Sequence, residues 1–407
     1  MGEVSRRLGF LSGAARVSTR PEAVLTGPRA HVLGVVRAFE ESGWQVQPYI
    51  VGDRVPLAWI AKDSTETALR SSLTTRGVAD LLRCGMGLVN GWRARRLLGD
   101  VDLVYERFGA FQAMGWWFQR RGVPWVLETN ALLCREAVRD RSSVAFAGVL
   151  EATERWAYRQ CDVVVCVSQV LADLVVREAG VDARKVVVMP NGVDVRQFDP
   201  AAHPVKRVFD GPTVGFVGHL QAWQRLDLLI EALATMRSED VRVNLVVVGD
   251  GPMRGAWESL ARTRSLEDQV RFVGRVAWAE VPAYVAGFDI AYAGAAALST
   301  GSMYLSPLKL YEYASMATPF LATDGADARE LAIDTGFLFE PGDGRAVVQS
   351  LRFALSVRER WPEIGARVRS RVLERHSWKA RVEALMTAVV PILEEEHGTV
   401  VDPWRRG

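Results

Sequence analysis

At 407 residues the chain exceeds what one hydrophobic core usually supports, so two domains are expected. Hydrophobic residues at 49% with charged residues at 24% fit a globular chain and exclude a disordered one. A formal net charge of +2 gives no electrostatic case for nucleic acid, and no run approaches the ~20 apolar residues of a membrane span.

The opening segment MGEVSRRLGFLSGAARVSTR lacks the apolar stretch of a signal peptide, which predicts a cytoplasmic protein. Through the first half, short β-branched runs alternate with amphipathic helical patterns, as in a parallel-sheet α/β domain. The predicted strands are LGFL (8–11), QVQPYIV (45–51), VDLVYE (101–106), PWVLE (124–128), DVVVCV (162–167) and KVVVMP (185–190). Helical stretches fall at about 30–42, 110–121, 147–160 and 169–179. Residues 66–99 differ: Arg70, Arg76, Arg83, Arg93, Arg95 and Arg96 are interleaved with leucines, Trp92 and glycines. We read them as a solvated helix pair covering the domain. The alternative is a basic amphipathic surface making peripheral contact with an anionic membrane or an acidic acceptor. Cys84, Cys134, Cys161 and Cys166 have no zinc-like spacing and are expected to be free thiols in a reducing compartment.

A polar, proline-bearing stretch, DVRQFDPAAHPVKR (194–207), reads as an interdomain linker. Beyond it lie strands TVGFV (213–217), VNLVVVG (243–249), VRFVG (270–274), DIAYA (289–293), PFLAT (319–323) and GFLFE (336–340). A final helix, roughly 378–396, is expected to cross back onto the first domain. The fold class is therefore α/β, with two Rossmann-like doubly wound domains facing a cleft. Residues 1–203, with 388–407 crossing back, form one domain, and residues 204–387 form the other. Such sheets bind ligands beyond the carboxyl ends of their strands.

Three segments of the second half carry chemistry. In TVGFVGHLQAWQRLDLLIEAL (213–233) a strand ends at Gly218, and His219 and Arg225 sit in the loop before a helix. A glycine there lets backbone approach a ligand, and the helix N-terminus behind it favours negative charge. In VVVGDGPMRGAWESL, Gly249 ends a second strand, with Pro252 suited to a first helical position. In TGSMYLSPLKLYEYASMATP (300–319), Ser306 is the expected N-cap and Pro307 the first helical residue. Lys309 and Glu312 lie three apart, near the positive end of that helix. Each segment alone is an ordinary turn or a surface ion pair. Together they supply glycines, cations, a helix end and one carboxylate, a set that suits a nucleotide diphosphate carrying a polyol.

The order of PNGVDVRQFDP, VGFVGHLQAWQRLDLLIEAL, VVVGDGP, VRFVGRV, SPLKLYEYASMATP and HSWKARVEAL resembles the glycogen-synthase-like retaining glycosyltransferases of GT-B fold, often called family four. The resemblance implies a hexosyltransferase-like enzyme with a nucleotide-sugar co-substrate, no other cofactor and no metal. It places Gly218, His219 and Arg225 at the donor diphosphate, where the family has an arginine or lysine at His219 and a lysine near Gln224. Val276 would lie against the nucleobase, and Glu312 matches the ribose-binding glutamate. The family's first glutamate is replaced by Tyr304, and Ser306, Pro307, Leu308 and Lys309 would form the loop under the diphosphate and sugar. Asn130 stands where many members carry a histidine at the donor sugar, and Thr26–His31 is the nearest match to the family's first glycine-rich turn. Arg225, Lys309 and Asn130 are thus the expected catalytic residues. Partners would be a nucleotide sugar, with uridine favoured, and a small natural product or glycan acceptor. A nucleotide-sugar epimerase of the same fold and a non-catalytic nucleotide-sugar-binding protein are the competing readings. A dehydrogenase is disfavoured because no GxGxxG follows a strand with an acidic residue downstream.

Overall fold

The computed structural model describes residues 6–23, 26–56, 73–137, 144–296, 304–332 and 337–398. These fall into two compact units, each built on one all-parallel, six-stranded sheet.

The first unit comprises the described residues up to Asn191, Tyr304–Ser306, and those from Trp378 onward. Its strands are β1 (Arg6–Ser12), β2 (Trp44–Ile50), β3 (Leu103–Arg107), β4 (Trp125–Thr129), β5 (Val163–Cys166) and β6 (Val186–Val188), in the order β2-β1-β3-β4-β5-β6. The central strands β4 and β5 are buried along their whole length, which is why WVLET and VVVC read as unbroken rather than alternating runs. Helices α1 (Gly27–Glu41), α2 (Leu73–Leu98), α3 (Ala147–Gln160) and α4 (Gln169–Ala179) accompany the sheet. The α4 boundaries follow from local chemistry. Ser168 caps it by accepting from Leu171 N at 3.1 Å, and Gly180 closes it at φ 66°. The last helix, Trp378–His397, packs on α1. There the Trp378 indole lies edge-on to His31 at 4.9 Å, against Gly34, where a Cβ would come within 2.2 Å of it.

One expectation for this unit is corrected. The helix expected at 110–121 shrinks to a single turn, Trp116–Gln119. The buried Glu106 carboxylate accepts from Met114 N at 2.9 Å and Gly115 N at 2.8 Å, and Phe111 adopts φ 60°, so the preceding residues are held as turns. Among the described residues the arginine-rich segment forms one 26-residue helix, α2; residues 57–72, including Arg70, lie outside the described residues, and so does the first part of the expected helix pair.

The second unit runs from Gly192 and includes Pro307–Ser377. Its strands are β7 (Thr213–Val217), β8 (Asn244–Val248), β9 (Val270–Gly274), β10 (Ile290–Ala293), β11 (Phe320–Thr323) and β12 (Leu338–Phe339), in the order β12-β11-β10-β7-β8-β9. Its helices are α5 (Leu226–Ser238), α6 (Arg254–Thr263), α7 (Val281–Ala286), α8 (Leu308–Ser315), α9 (Ala326–Leu331), α10 (Gly344–Ser356) and α11 (Trp361–Arg375). On α5, Leu226, Leu229, Ile230 and Leu233 are fully buried at helical spacing against β7 and β8 residues of the same core. The winding direction reverses between β7 and β10, so the crevice favoured for ligands lies at the carboxyl end of β7.

The supposed linker belongs to this unit. Val193 N donates to His376 O at 3.0 Å, Phe198 is buried in the core, and Asp199 pairs with Arg369 at 3.0 Å. The units therefore divide at Asn191/Gly192 and Ser377/Trp378, not at 203/204 and 387/388.

Candidate functional site

At the carboxyl end of β7 the chain turns on Gly218 at φ 149°, and the neighbouring β8 ends on Gly249 at φ 132°. A Cβ on Gly249 would stand 1.9 Å from the Gly218 carbonyl oxygen, so the two loops meet as bare backbone. Hydrogen bonds lock the meeting: Gly218 N donates to Val248 O at 3.0 Å, and Gly249 N to Gly274 O at 2.8 Å. The strand ends thereby meet at two positions that carry no side chain of their own.

Helix α8 delivers a cation to this surface. The Tyr313 hydroxyl accepts from Val217 N at 2.8 Å, which ties α8 to the last residue of β7. One turn earlier on the helix, Lys309 reaches Gly218, where a Cβ would lie 3.1 Å from its Nζ. Nζ donates to Gln224 Oε1 at 2.7 Å and stands 3.9 Å from the Phe216 ring centroid. Protein atoms surround Lys309 and Glu312 on most sides, though both keep some solvent contact. Burial pushes the Lys309 ammonium down to about 7, a shift that Glu312 partly offsets. Burial likewise pushes Glu312 up to about 7 against the pull of Lys309. No ion pair joins the two among the described residues; the direct partner of the lysine is the neutral amide of Gln224.

The remaining expected residues are placed as follows. His219 is exposed, with Nδ1 2.8 Å from Asp250 O. Arg225 takes the left-handed conformation at φ 50° and caps α5; its Nε and Nη2 grip Asp227 at 3.0–3.2 Å, and its carbonyl accepts from the Tyr292 hydroxyl at 2.8 Å. Val276 is half-buried two residues beyond β9. Ser306 does not cap α8. Its hydroxyl accepts from Asn191 N at 2.9 Å, so Pro307 becomes the N-cap and Leu308 the first helical residue. Tyr304 is buried in the first unit, its hydroxyl donating to Glu136 at 2.9 Å and its carbonyl accepting from Ser168 at 2.7 Å.

Asn130 follows β4 in the first unit on a loop held from beneath. The Thr129 hydroxyl donates to Ala131 O at 2.8 Å and lies 2.8 Å from Tyr158 Oη, while Glu154 accepts from Leu133 N at 2.7 Å. The half-buried Asn130 amide itself has no partner among the described residues. Nearby in sequence, Glu128 meets His31 at 2.6 Å and the Tyr105 hydroxyl at 2.8 Å. Burial alone would raise Glu128, but His31, Arg107 and Tyr105 hold it below the usual carboxylate range. His31 Nδ1 in turn lies 2.7 Å from Asn191 Oδ1, so the last residue of the Thr26–His31 turn is buried in this network, while Thr26, Gly27 and Pro28 stand exposed at the start of α1.

Gly218, Gly249, His219, Gln224, Lys309 and Glu312 therefore share one unit. Tyr304, Ser306 and Asn130 belong to the other. Gln224 and Tyr313 emerge only from the structure, as partner and anchor of the lysine helix. Tyr313 lies four residues beyond Lys309 on the same helix.

Residues 26–197 match the family model described as Glycosyltransferase Family 4, and residues 211–356 match that described as Glycosyl transferases group 1. The two matches together span most of the chain, and each is to a glycosyltransferase family. The chain is 28% identical over 153 residues to the 2-deoxystreptamine glucosyltransferase of Streptomyces kanamyceticus, a match covering 35% of this chain and 39% of that protein. It is 27% identical over 321 residues to the D-inositol 3-phosphate glycosyltransferase of Kineococcus radiotolerans, covering 72% of each. In fold it is similar to sucrose-phosphate synthase of Thermosynechococcus elongatus, with a TM-score of 0.67 at 17% identity, covering 94% of this chain and 98% of that one. It is also similar to Anabaena HepE in complex with UDP and glucose, with a TM-score of 0.63 at 16% identity, covering 94% and 99%.

Proposed function

We propose that the chain transfers a sugar, with retention of anomeric configuration and without a metal, from a nucleotide-diphosphate sugar to an acceptor hydroxyl. A uridine nucleotide is the favoured donor, and a small natural product or cell-surface glycan the acceptor. The observation that carries this reading is the desolvated Lys309 ammonium beside the bare backbone of Gly218 at the β7/β10 switch point. Presence of UDP in the HepE structure, and polyol acceptors in the names of two relatives, support the choice of substrate class.

In this reaction the anomeric carbon–oxygen bond to the diphosphate breaks while the acceptor oxygen bonds the same face. The acceptor proton passes to the departing phosphate. Lys309 and the first N–H groups of α8 stabilise the charge that develops on the diphosphate. Glu312 accepts from ribose hydroxyls, the backbone at Gly218 and Gly249 lets the diphosphate approach, and Val276 borders the base. Asn130 orients the donor sugar, its amide being unpartnered among the described residues on a loop braced by Thr129 and Glu154. Arg225, already gripped by Asp227, acts chiefly by fixing the start of α5 beneath the site.

Lys309→Ala should lower transfer by at least ~10²-fold with the fold intact, as expected for loss of a charge contact in the transition state. Arg225→Ala should cost less turnover and more thermal stability. Product stereochemistry read by NMR should show the donor's anomeric configuration. An inverted product contradicts the mechanism, and isomerised donor formed without any acceptor would mark an epimerase instead.

A further inference from the structure

Helix α2 is built inside out. Its inward face carries Asp80, Gly87, Asn90, Gly91 and Ala94, all buried. The glycines let it lie flush on the first unit, since a Cβ at Gly87 would come 2.2 Å from Phe111 O and one at Gly91 would come 2.2 Å from the Trp117 indole. The polar groups are satisfied there: Asp80 accepts from Ala145 N and Phe146 N, and Asn90 donates to Gln112. The outward face carries Val78, Leu81, Leu82, Met86, Leu88, Val89, Trp92 and Leu97, each 42–64% exposed. Eight of the seventeen large exposed apolar side chains among the described residues thus lie on this one helix, so the pattern is a patch rather than scatter. Phe146, Val149 and Trp156 of the neighbouring α3 segment are exposed as well, and the Phe146 ring would meet a Cβ at Gly77 of α2 at 3.6 Å.

Charge selects the occupant. The helix carries Arg76, Arg83, Arg93, Arg95 and Arg96, while its sole acid, Asp80, is buried and paired with Arg83 at 2.8 Å. Arg96 stands over the Trp92 ring at 5.5 Å, an arginine–tryptophan pairing suited to a membrane–water boundary. The net positive charge of the helix, with Arg93 and Arg96 exposed, opposes the approach of a second copy of the same face, which disfavours self-association. No helix among the described residues is long and apolar enough to cross a membrane, so the patch fits an interfacial role.

We propose that the outer face of α2 docks on an anionic lipid bilayer, with the leucines and Trp92 entering the headgroup boundary and the arginines meeting lipid phosphates. This goes beyond the glycosyl-transfer reading and does not depend on it. The test is flotation of the full chain with phosphatidylcholine vesicles, with and without phosphatidylglycerol. Binding should be at least ~10-fold stronger on the anionic vesicles and weaken as salt rises. Leu82→Glu and Trp92→Glu should each reduce it several-fold with unchanged melting temperature, because both side chains already face solvent. Equal binding to neutral vesicles, absence of binding, or variants that bind like wild type would overturn the proposal. Concentration-dependent dimerisation abolished by Leu82→Glu would overturn it too, by assigning the face to a second copy.

Discussion

Burying an ammonium costs free energy unless a counter-charge meets it, and the hydrogen-bond partner of Lys309 is the neutral amide oxygen of Gln224 at 2.7 Å. Its folded value near 7 lies below the ordinary 10.5, so the folded chain binds fewer protons across that window. The lysine therefore penalises folding fully below pH 7, and the penalty fades as pH rises toward 10.5. Glu312 runs the other way: its value is raised from 4.5 to about 7, so its contribution is present below pH 4.5 and lost as pH rises through 7. A bound diphosphate restores the charged lysine. Nucleotide binding near pH 8 should therefore take up protons, seen by calorimetry in buffers of different ionisation enthalpy, and Lys309→Met should abolish most of the uptake. Uptake unchanged in the variant would remove the lysine from the diphosphate. The sequence showed Lys309 and Glu312 three apart at a helix start. It could not show that both would be desolvated, nor that Gln224, 85 residues away, would be the lysine's partner.

Elements were legible where burial writes a simple pattern. The strands β7 and β9 were predicted to the residue, and α3 and α4 likewise; in α4 helical spacing also coincides with a Ser168 cap and a Gly180 stop. Elements failed where a distant side chain captures backbone groups. Glu106 turned a predicted helix into turns, and Asn191 took the hydroxyl expected to cap α8. The meeting of the β7 and β8 loops was likewise invisible, since it depends on two strands pairing in register. It makes a sharp prediction. Gly249→Ala combines a forbidden φ with a 1.9 Å approach to Gly218 O and should cost about 2–4 kcal/mol and weaken nucleotide binding. Gly43→Ala, also at positive φ but with no atom within 4 Å of the added Cβ, should cost only about 1 kcal/mol. Equal melting temperatures for the two variants would refute the close-approach argument.

At the scale of the whole molecule, two parallel sheets and a division near residue 200 followed from length and alternation alone. The division itself was misplaced because the segment 194–203 looks like a linker yet is held by Phe198 and Asp199 within the second unit. The grouping of Tyr304–Ser306 with the first unit carries no local signal, since it rests on hydrogen bonds to Ser168, Glu136 and Asn191, more than 100 residues earlier. The inverted polarity of α2 was half visible: its arginines and leucines stood out, but which face pointed outward did not. The central claim is that a nucleotide diphosphate binds at Gly218 and Lys309. Calorimetric titration of UDP and a UDP-sugar into wild type and Lys309→Ala tests it directly. The account predicts binding to wild type and at least ~10-fold weaker binding to a folded variant, a difference of about 1.4 kcal/mol. Equal affinity in the two proteins, or no binding of any nucleotide sugar to wild type, would contradict it.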